Sequence, residues 1–385
     1  MTKESHTLRE IRQQPGLWKK AVAEFANEAT KMDEFLQHIQ NKHDHVRVIF
    51  TGAGTSAFVG ETLYPSTGVD IRKRGWVAET VSTTNLTGNP YSFLDPDTPT
   101  ILVSFARSGN SPESIAAVEL AENIVKDFYE ITITCNREGA LAKREKAAES
   151  QLVILLPDEA NDKGLAMTSS FSTMLLAAVY LFKEDKTTFA KQVDTIAELG
   201  EKMLAETNTQ IPELLKQPIS RAVYLGSGVF EGLSRESSLK CLELTGGSVA
   251  TMFDTPLGFR HGPKSFLNEE AMIVVYVSNH SYTRKYDMDM LKELHATEGR
   301  GPIVVISEVD YPEVVDVSDY QFVLSNQDTP QLEDIGLTFA NVIFAQSFAY
   351  EKSIHSGLSP DNPSPTGVIN RVVQGVTIYP FEEEK

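Results

Sequence analysis

The chain has 385 residues, of which 41% are apolar, and this length and composition predict two or three globular domains with real hydrophobic cores. Its formal net charge of −18 argues against a surface that binds nucleic acid or an acidic membrane, because either would need a basic face. The polar N-terminus, the lack of any apolar run near the ~20 residues of a membrane span, and two cysteines without disulfide or zinc spacing indicate a cytoplasmic protein.

Residues 1–45 are expected to form a helical segment ahead of the first domain. Apolar side chains recur three or four residues apart between residues 16 and 40, which predicts one amphipathic helix there. His43 and His45 follow this helix. Because a metal ion needs three or four ligands and no others are nearby, these histidines indicate a solvated linker and no metal site.

From residue 46 the pattern changes to apolar strands that alternate with helix-length segments, which is typical of a parallel α/β sheet. Five strands are predicted in each of two series, over residues 46–50, 77–81, 100–104, 131–134 and 153–156 and over residues 222–225, 249–253, 272–277, 303–306 and 321–324. Gly52 and Gly54 correspond to Gly226 and Gly228, each pair 174 residues apart. The sequence therefore predicts two tandem doubly wound, flavodoxin-like α/β domains, over residues 46–200 and 201–385.

Two long helices and a tail complete the expected organisation. A helical connector is predicted over residues 186–216, and a helix with a long apolar face over residues 332–355. The proline-rich residues 359–365 cannot be helical, so we expect them to run as an extended tail.

The turn after the third predicted strand has the composition of an anion-binding site. Arg107, Ser108, Gly109 and Ser111 precede Pro112, which suits the first turn of a helix. Backbone N–H groups, the positive end of a helix dipole, two hydroxyls and a guanidinium would meet there and could hold a phosphate monoester. The alternative is an ordinary serine-rich helix cap, since serine and asparagine are favoured at caps without any ligand.

The turn after the first strand also places hydroxyls at the start of a helix. Gly52 and Gly54 match the G-x-G-x-x-A pattern of dinucleotide-binding proteins, but Glu79 lies inside the second predicted strand and does not close it. We therefore expect neither a nucleotide nor any other cofactor. Thr55 and Ser56 share one sheet edge with the serine-rich turn, which favours a sugar phosphate as the ligand.

The second half of the chain offers a different set of chemical groups. Lys240 and Glu243 lie three residues apart on one side of a predicted helix. By periodicity alone a solvated ion pair extended by Glu236 is the plainer interpretation. His261 precedes Gly-Pro, and by the same reasoning it could be only a turn residue.

Five stretches together resemble the tandem sugar-isomerase (SIS) domains of glucosamine-6-phosphate synthase. They are residues 52–56, 108–111, 164–171, 239–243 and 261–263. The likeness covers nearly the whole chain beyond residue 45, in the same order. With no glutaminase domain in front, and with Thr2 where that family has its cysteine nucleophile, the chain is most similar to the AgaS-type group of tagatose-6-phosphate ketose/aldose isomerases or galactosamine-6-phosphate deaminases.

The resemblance implies a role for each matching residue. The substrate phosphate would be bound by the side chains of the two turns, Thr55, Ser56, Arg107, Ser108 and Ser111. Glu243 would be the proton-shuttling base and Lys240 would orient the substrate. His261 would open the sugar ring from the neighbouring subunit, which implies a homodimer or a higher homo-oligomer. Further substrate contacts are implied for Gly54, Ala166 and Gln374.

Two departures from the synthase pattern bear on the chemistry. Ala106-Arg107-Ser108 replaces Ser-Gln-Ser, so that one hydroxyl is lost and a guanidinium gained. Gln374 stands where the synthase tail has a lysine, so the resemblance does not imply a Schiff-base step.

We expect conversion of galactosamine 6-phosphate to tagatose 6-phosphate and ammonium by C2–C1 proton transfer. A plain aldose/ketose 6-phosphate isomerase and a non-catalytic sugar-phosphate sensor are the alternatives.

Overall fold

Ten strands and their accompanying helices form the framework of the described part of the chain. The computed structural model describes residues 4–371, 373 and 375–381. The strands are β1 Arg47–Thr51, β2 Val77–Thr80, β3 Thr100–Ala106, β4 Phe128–Thr134, β5 Gln151–Leu155, β6 Arg221–Gly226, β7 Ala250–Asp254, β8 Ala271–Tyr276, β9 Ile303–Ser307 and β10 Tyr320–Val323. The helices are α1 His6–Arg12, α2 Gln14–Asn27, α3 Ala29–Lys42, α4 Thr55–Lys73, α5 Thr83–Gly88, α6 Pro90–Phe93, α7 Pro112–Ile124, α8 Ser169–Phe182, α9 Lys186–Leu214, α10 Val229–Leu244, α11 Pro256–Phe259, α12 Ser281–His295, α13 Pro312–Val315 and α14 Asp334–His355.

The strands form two five-stranded sheets with the same topology. Their orders are β2-β1-β3-β4-β5 and β7-β6-β8-β9-β10, and neighbouring strands are parallel throughout. Counted from the first strand of each sheet, both orders read 2-1-3-4-5, which is the flavodoxin-like doubly wound order. The predicted fold class is therefore confirmed.

The predicted elements agree with the structure except at the N-terminal helix and the proline-rich tail. Each of the ten strands overlaps its predicted range, and α9 and α14 occupy the positions predicted for the two long helices. The single helix predicted over residues 16–40 is instead two, α2 and α3, which meet at Glu28 with φ −101° and ψ 2°. Asn27, a weak helix former, precedes the break, while Phe25 and Met32 remain buried on either side of it.

Residues 359–365 form turns, so the expectation of an extended tail was wrong. The N–H of Asn362 donates to the carbonyl of Ser359 at 2.9 Å and closes one of these turns. The Asp361 carboxylate accepts the N–H groups of His6 and Thr7 at 2.9 and 2.8 Å. A carboxylate at this position satisfies free N–H groups and interacts favourably with the dipole of α1, which explains why the segment folds back.

The central strands are apolar because both of their faces are covered. β3 and β8 are buried along their whole length, as expected for the middle of a parallel sheet flanked by helices. Leu102 of β3 shares a buried cluster with Ala117 of α7, and Val275 of β8 shares another with Leu291 of α12. None of the described helices combines the length and apolarity needed to cross a lipid bilayer.

The chain forms two compact units that are discontinuous in sequence. The second-sheet unit comprises the described residues of Met1–Gly16, Lys163–Thr168 and Lys191–Thr366. The first-sheet unit comprises the described residues of Leu17–Asp162, Ser169–Ala190 and Gly367–Lys385. Helix α1 and the first three residues of α2 therefore belong with the second sheet, whereas the rest of α2, α3 and the described C-terminal residues belong with the first.

Candidate active site

The serine-rich turn of the first-sheet unit joins β3 directly to α7, as the sequence predicted. Gly109 has φ +65°, a backbone conformation that favours glycine. Pro112 is the first residue of α7, and Ser111 is its N-cap with φ −64° and ψ 129°. The Ser111 hydroxyl accepts no capping hydrogen bond from the helix. Helix capping therefore does not account for this serine.

The shape of the turn is held largely by groups other than its serine hydroxyls. Asn136 Nδ2 donates to the Ser108 carbonyl at 2.8 Å, and Asn110 Oδ1 accepts the N–H of Ala140 at 2.8 Å. The N–H of Leu141 donates to the Gly109 carbonyl at 3.1 Å. The segment after β4 thus supports the turn from behind, and Ser108 and Ser111 remain half-buried at its surface.

The glycine turn after β1 lies beside the serine-rich turn. Thr51 of β1 pairs with Ser104 of β3, so the two turns leave one sheet edge from neighbouring strands. Gly54 has φ +56° and ψ −129° and precedes Thr55 and Ser56, which begin α4 with buried side chains. The structure therefore brings together the hydroxyls predicted for phosphate binding at the edge where doubly wound sheets bind ligands.

Arg107 lies in the same place but has a partner within the protein. Its guanidinium is buried, and Nη2 donates to the carbonyl of Arg371 at 2.7 Å. Arg371 belongs to the C-terminal part of the first-sheet unit. The cation predicted to meet a phosphate therefore also binds the backbone of Arg371.

In the second-sheet unit, Lys240 is buried on α10 between two carboxylates. Its side chain is 1% exposed, and Nζ donates to Glu243 Oε2 at 2.6 Å and lies 3.5 Å from Glu236 Oε1. The interpretation as a solvated ion pair is therefore wrong. Burying an ammonium group costs several kcal/mol of desolvation, so such a group is weak evidence for stability and calls for another explanation.

Glu243 differs from its two charged neighbours because it reaches solvent. Its side chain is 24% exposed, whereas those of Lys240 and Glu236 are buried. The ammonium group of Lys240 holds one carboxylate oxygen of Glu243. A carboxylate that is fixed in position and still accessible can accept a proton from a bound molecule.

His261 lies on an exposed turn between α11 and a short 3₁₀ helix, Pro263–Phe266. The turn is fastened to α12, where Glu293 accepts hydrogen bonds from Arg260 Nε and Lys264 Nζ, both at 2.7 Å. The bonds from Lys264 and Arg260 lower the pKa of Glu293 and so favour its ionised form. The imidazole is thus presented to solvent from a turn with two ionic attachments.

Comparisons with known proteins show the family to which the chain belongs. A family model described as the SIS domain matches residues 42–183. The D-galactosamine-6-phosphate deaminase AgaS of Escherichia coli O157:H7 is 38% identical over 98% of this chain and 96% of its own length. The chain belongs to the AgaS family of SIS-domain proteins. The resemblance found in the sequence is therefore confirmed.

Two further relatives of this AgaS-family chain extend the comparison. A solved structure of tagatose-6-phosphate ketose/aldose isomerase from Escherichia coli has a TM-score of 0.88 and 36% identity, with 98% of both chains covered. A glutamine–fructose-6-phosphate aminotransferase of Pyrococcus horikoshii is 26% identical over 94% of this chain but only 56% of its own length. The AgaS relative thus matches over nearly its whole length, whereas the aminotransferase is a longer protein.

The remaining predicted site residues of the AgaS-family chain are Ala166 and Gln374. Ala166 is buried in the segment 163–168 of the second-sheet unit. The Glu10 carboxylate accepts the N–H groups of Lys163 and Gly164 at 2.6 and 3.2 Å and holds the start of this segment.

Gln374 lies outside the described residues. Within the described ranges, no three His, Cys, Asp or Glu side chains are grouped to hold a metal ion.

Sequence reasoning did not identify Asp162 or Arg371, which organise these sites, and it did not predict that Glu236 is buried. Glu236 was recognised as a partner of Lys240, but the spacing of the two residues in the sequence does not reveal that Glu236 is buried. Asp162 accepts the N–H groups of Ser169 and Ser170 at the start of α8, although it lies seven residues before that helix. A usual N-cap is the residue directly before the helix, so no capping pattern points to Asp162. Arg371, likewise, had no signal in the sequence.

Proposed function

We propose that this chain is an enzyme that converts galactosamine 6-phosphate and water into tagatose 6-phosphate and ammonium. The observation that carries the proposal is the Glu243 carboxylate, which is held by the buried Lys240 and still reaches solvent. It occurs in a chain that is 38% identical along nearly its whole length to a D-galactosamine-6-phosphate deaminase. A fixed, accessible base is what proton transfer between two adjacent carbon atoms requires.

The substrate phosphate is proposed to bind at the carboxyl edge of the first sheet. Thr55 and Ser56 lie at the start of α4, and Ser108 and Ser111 lie just before α7. The N-termini of both helices favour an anion, and hydroxyl groups can donate to its oxygens. Arg107 adds a positive charge next to Ser108 and offsets part of the negative charge of the chain.

The chemical step is proposed to run on the open-chain aldosamine. His261 opens the ring, and Glu243 takes the proton from C2 and returns it to C1. The C1 aldehyde then becomes a CH₂OH group and the C2 amine becomes an imine. Water adds to C2 and ammonia leaves, which gives the ketose and ammonium. Lys240 keeps the Glu243 carboxylate in place during both transfers.

We also propose that His261 acts on the substrate of a neighbouring subunit, within a homodimer or a larger homo-oligomer. The family resemblance implies this arrangement, and the exposed position of His261 supports it. The two ionic attachments to Glu293 would keep the turn in a fixed place for such a role.

A plain isomerase is the second candidate, because the Escherichia coli structure at TM-score 0.88 is described as a tagatose-6-phosphate ketose/aldose isomerase. The test is to measure ammonium and ketose 6-phosphate together, with galactosamine, glucosamine, N-acetylgalactosamine and galactose 6-phosphates as substrates. We expect equal amounts of ammonium and ketose from galactosamine 6-phosphate. Ketose from galactose 6-phosphate without ammonium from any amino sugar would identify an isomerase, and no turnover at all would identify a sensor.

The role of Glu243 is tested by Glu243→Gln, which keeps the shape and removes the base. The variant should bind substrate but neither turn it over nor exchange its C2 proton with deuterated solvent. Glu298→Gln, an exposed change in the same unit, is the matched control and should leave both reactions intact. Proton exchange that persists in Glu243→Gln would assign the base to another residue.

A further inference from the structure

We propose that Arg107 is a positioning residue that fastens the C-terminal segment to the carboxyl edge of the first sheet. The C-terminal segment is defined here as the described residues 367–371, 373 and 375–381, which belong to the first-sheet unit. Arg107 follows the last residue of β3, and its Nη2 donates to the Arg371 carbonyl at 2.7 Å. Arg107 is buried while Arg371 is exposed, so this hydrogen bond is partly shielded from competing water.

Arg371 is held from the other side as well. Its Nε donates to the carbonyl of Asp162 at 3.1 Å, and its Nη2 donates to Asn161 Oδ1 at 3.1 Å. The backbone of Arg371 thus accepts a hydrogen bond from Arg107 while its side chain donates to the residues that follow β5. Arg371 is therefore held both through its backbone, by Arg107, and through its own side chain.

Asp162, whose carbonyl accepts a hydrogen bond from Arg371, is itself held in place by its side chain. The buried Asp162 carboxylate accepts the N–H groups of Ser169 and Ser170 at 3.1 and 2.9 Å and the Ser170 hydroxyl at 2.5 Å. These bonds connect it to the start of α8. The C-terminal segment is therefore tied to the first turn of a buried helix and not to a loose loop.

Both guanidinium groups also lie close enough to Cys135, which follows β4, for their charges to act on its thiol. Burial raises the pKa of this thiol, and the negative charge of Asp162 raises it further, while the charges of Arg107 and Arg371 act in the opposite direction. Cys135 follows β4, so the two arginines extend across the carboxyl ends of β3, β4 and β5. Ligands of doubly wound sheets bind at this edge.

Elsewhere the C-terminal segment has little burial to hold it. Val368 is 83% exposed and Tyr379 is 80% exposed. A segment with few buried apolar contacts opens easily unless specific bonds secure it. The bonds of Arg371 therefore help to fix where the described part of the segment lies. Arg107 directly precedes Ser108. It therefore connects the C-terminal segment to the turn that is proposed to bind phosphate.

The first test measures amide hydrogen exchange of the C-terminal segment in the unliganded protein. Arg107→Lys keeps the charge but loses the planar donor, and Arg371→Ala removes the donors to Asp162 and Asn161. Each variant should speed exchange over the C-terminal segment by about tenfold or more, since each loses a hydrogen bond from a charged group. Arg72→Lys, an exposed change on α4, is the matched control. Unchanged exchange in either variant would overturn the proposal.

The second test separates positioning from phosphate binding, and its activity arm rests on the proposed function. Arg371→Ala should lower kcat on galactosamine 6-phosphate while the Kd for inorganic phosphate stays within about twofold, because Arg371 holds the tail and not the anion. A weaker Kd in Arg107→Lys with unchanged tail exchange would make Arg107 a phosphate ligand only. Faster exchange with unchanged kcat would also refute a positioning role. The hydrogen-exchange measurement does not depend on turnover. Its result therefore tests the attachment of the C-terminal segment even if the proposed reaction is wrong.

Discussion

Replacing Lys240 by methionine tests whether the buried charges of α10 depend on its ammonium group. Lys240→Met keeps the length of the side chain but leaves the buried Glu236 carboxylate and the partly exposed Glu243 without the cation that lies 3.5 and 2.6 Å from them. Removing one partner of a buried ion pair typically costs about 3–5 kcal/mol. Glu243 can turn to solvent, so we expect most of the loss in the free energy of unfolding to come from Glu236.

The measurement is the urea midpoint at pH 7.5 for wild type, Lys240→Met, and the double variant Lys240→Met with Glu236→Gln. The single variant should lose about 3 kcal/mol or more, and the double variant should recover most of it because no buried carboxylate remains unbalanced. Lys216→Met removes an exposed ion pair with Glu213 and should cost less than about 1 kcal/mol. A double variant as unstable as the single one would refute the electrostatic explanation.

Two further predictions concern the phosphate turn and the second sheet. Ser108→Ala removes a donor worth about 1.5–3 kcal/mol to a charged ligand, so KM should rise about tenfold in steady-state assays; a double variant with Ser111→Ala and a wild-type KM would contradict the phosphate site. Burial raises the pKa of Asp287 to about 6, so the folded state keeps a proton that the unfolded chain has lost. The stability from this proton is complete below pH 4 and lost as the pH rises through 6, by about 3 kcal/mol. Relative to wild type, Asp287→Asn should therefore gain about that much in the free energy of unfolding between pH 4 and 7.5, and a gap that does not change with pH would contradict the assignment.

The sheets could be predicted because their physical constraints leave a local signature. β3 and β8 are covered on both faces, so they must be apolar runs, and such runs alternate visibly with helices. Gly54 and Gly228 have matching conformations, with φ +56° and +61°, which explains why glycine occurs at both positions. Each turn enters its helix through a conformation that few other residues adopt.

The sites could be predicted only where they depend on neighbours in the sequence. An i, i+3 pair such as Lys240 and Glu243 has the same spacing on an exposed helix as on a buried one, so periodicity favoured the wrong environment. The bond from Arg107 to Arg371 joins residues 264 positions apart, and no local pattern encodes such a pairing. The break at Glu28 was missed because the apolar spacing continues through it.

The interleaved sequence of the two units limits how the protein can be made and cut. Residues 367–381 belong to the first-sheet unit, although its strands are complete by residue 155. During synthesis this unit therefore gains its C-terminal residues only after the strands of the second sheet have been made. No single cleavage yields either unit whole, so neither half can be exchanged with a relative by one simple fusion. We expect the two halves to be inherited together.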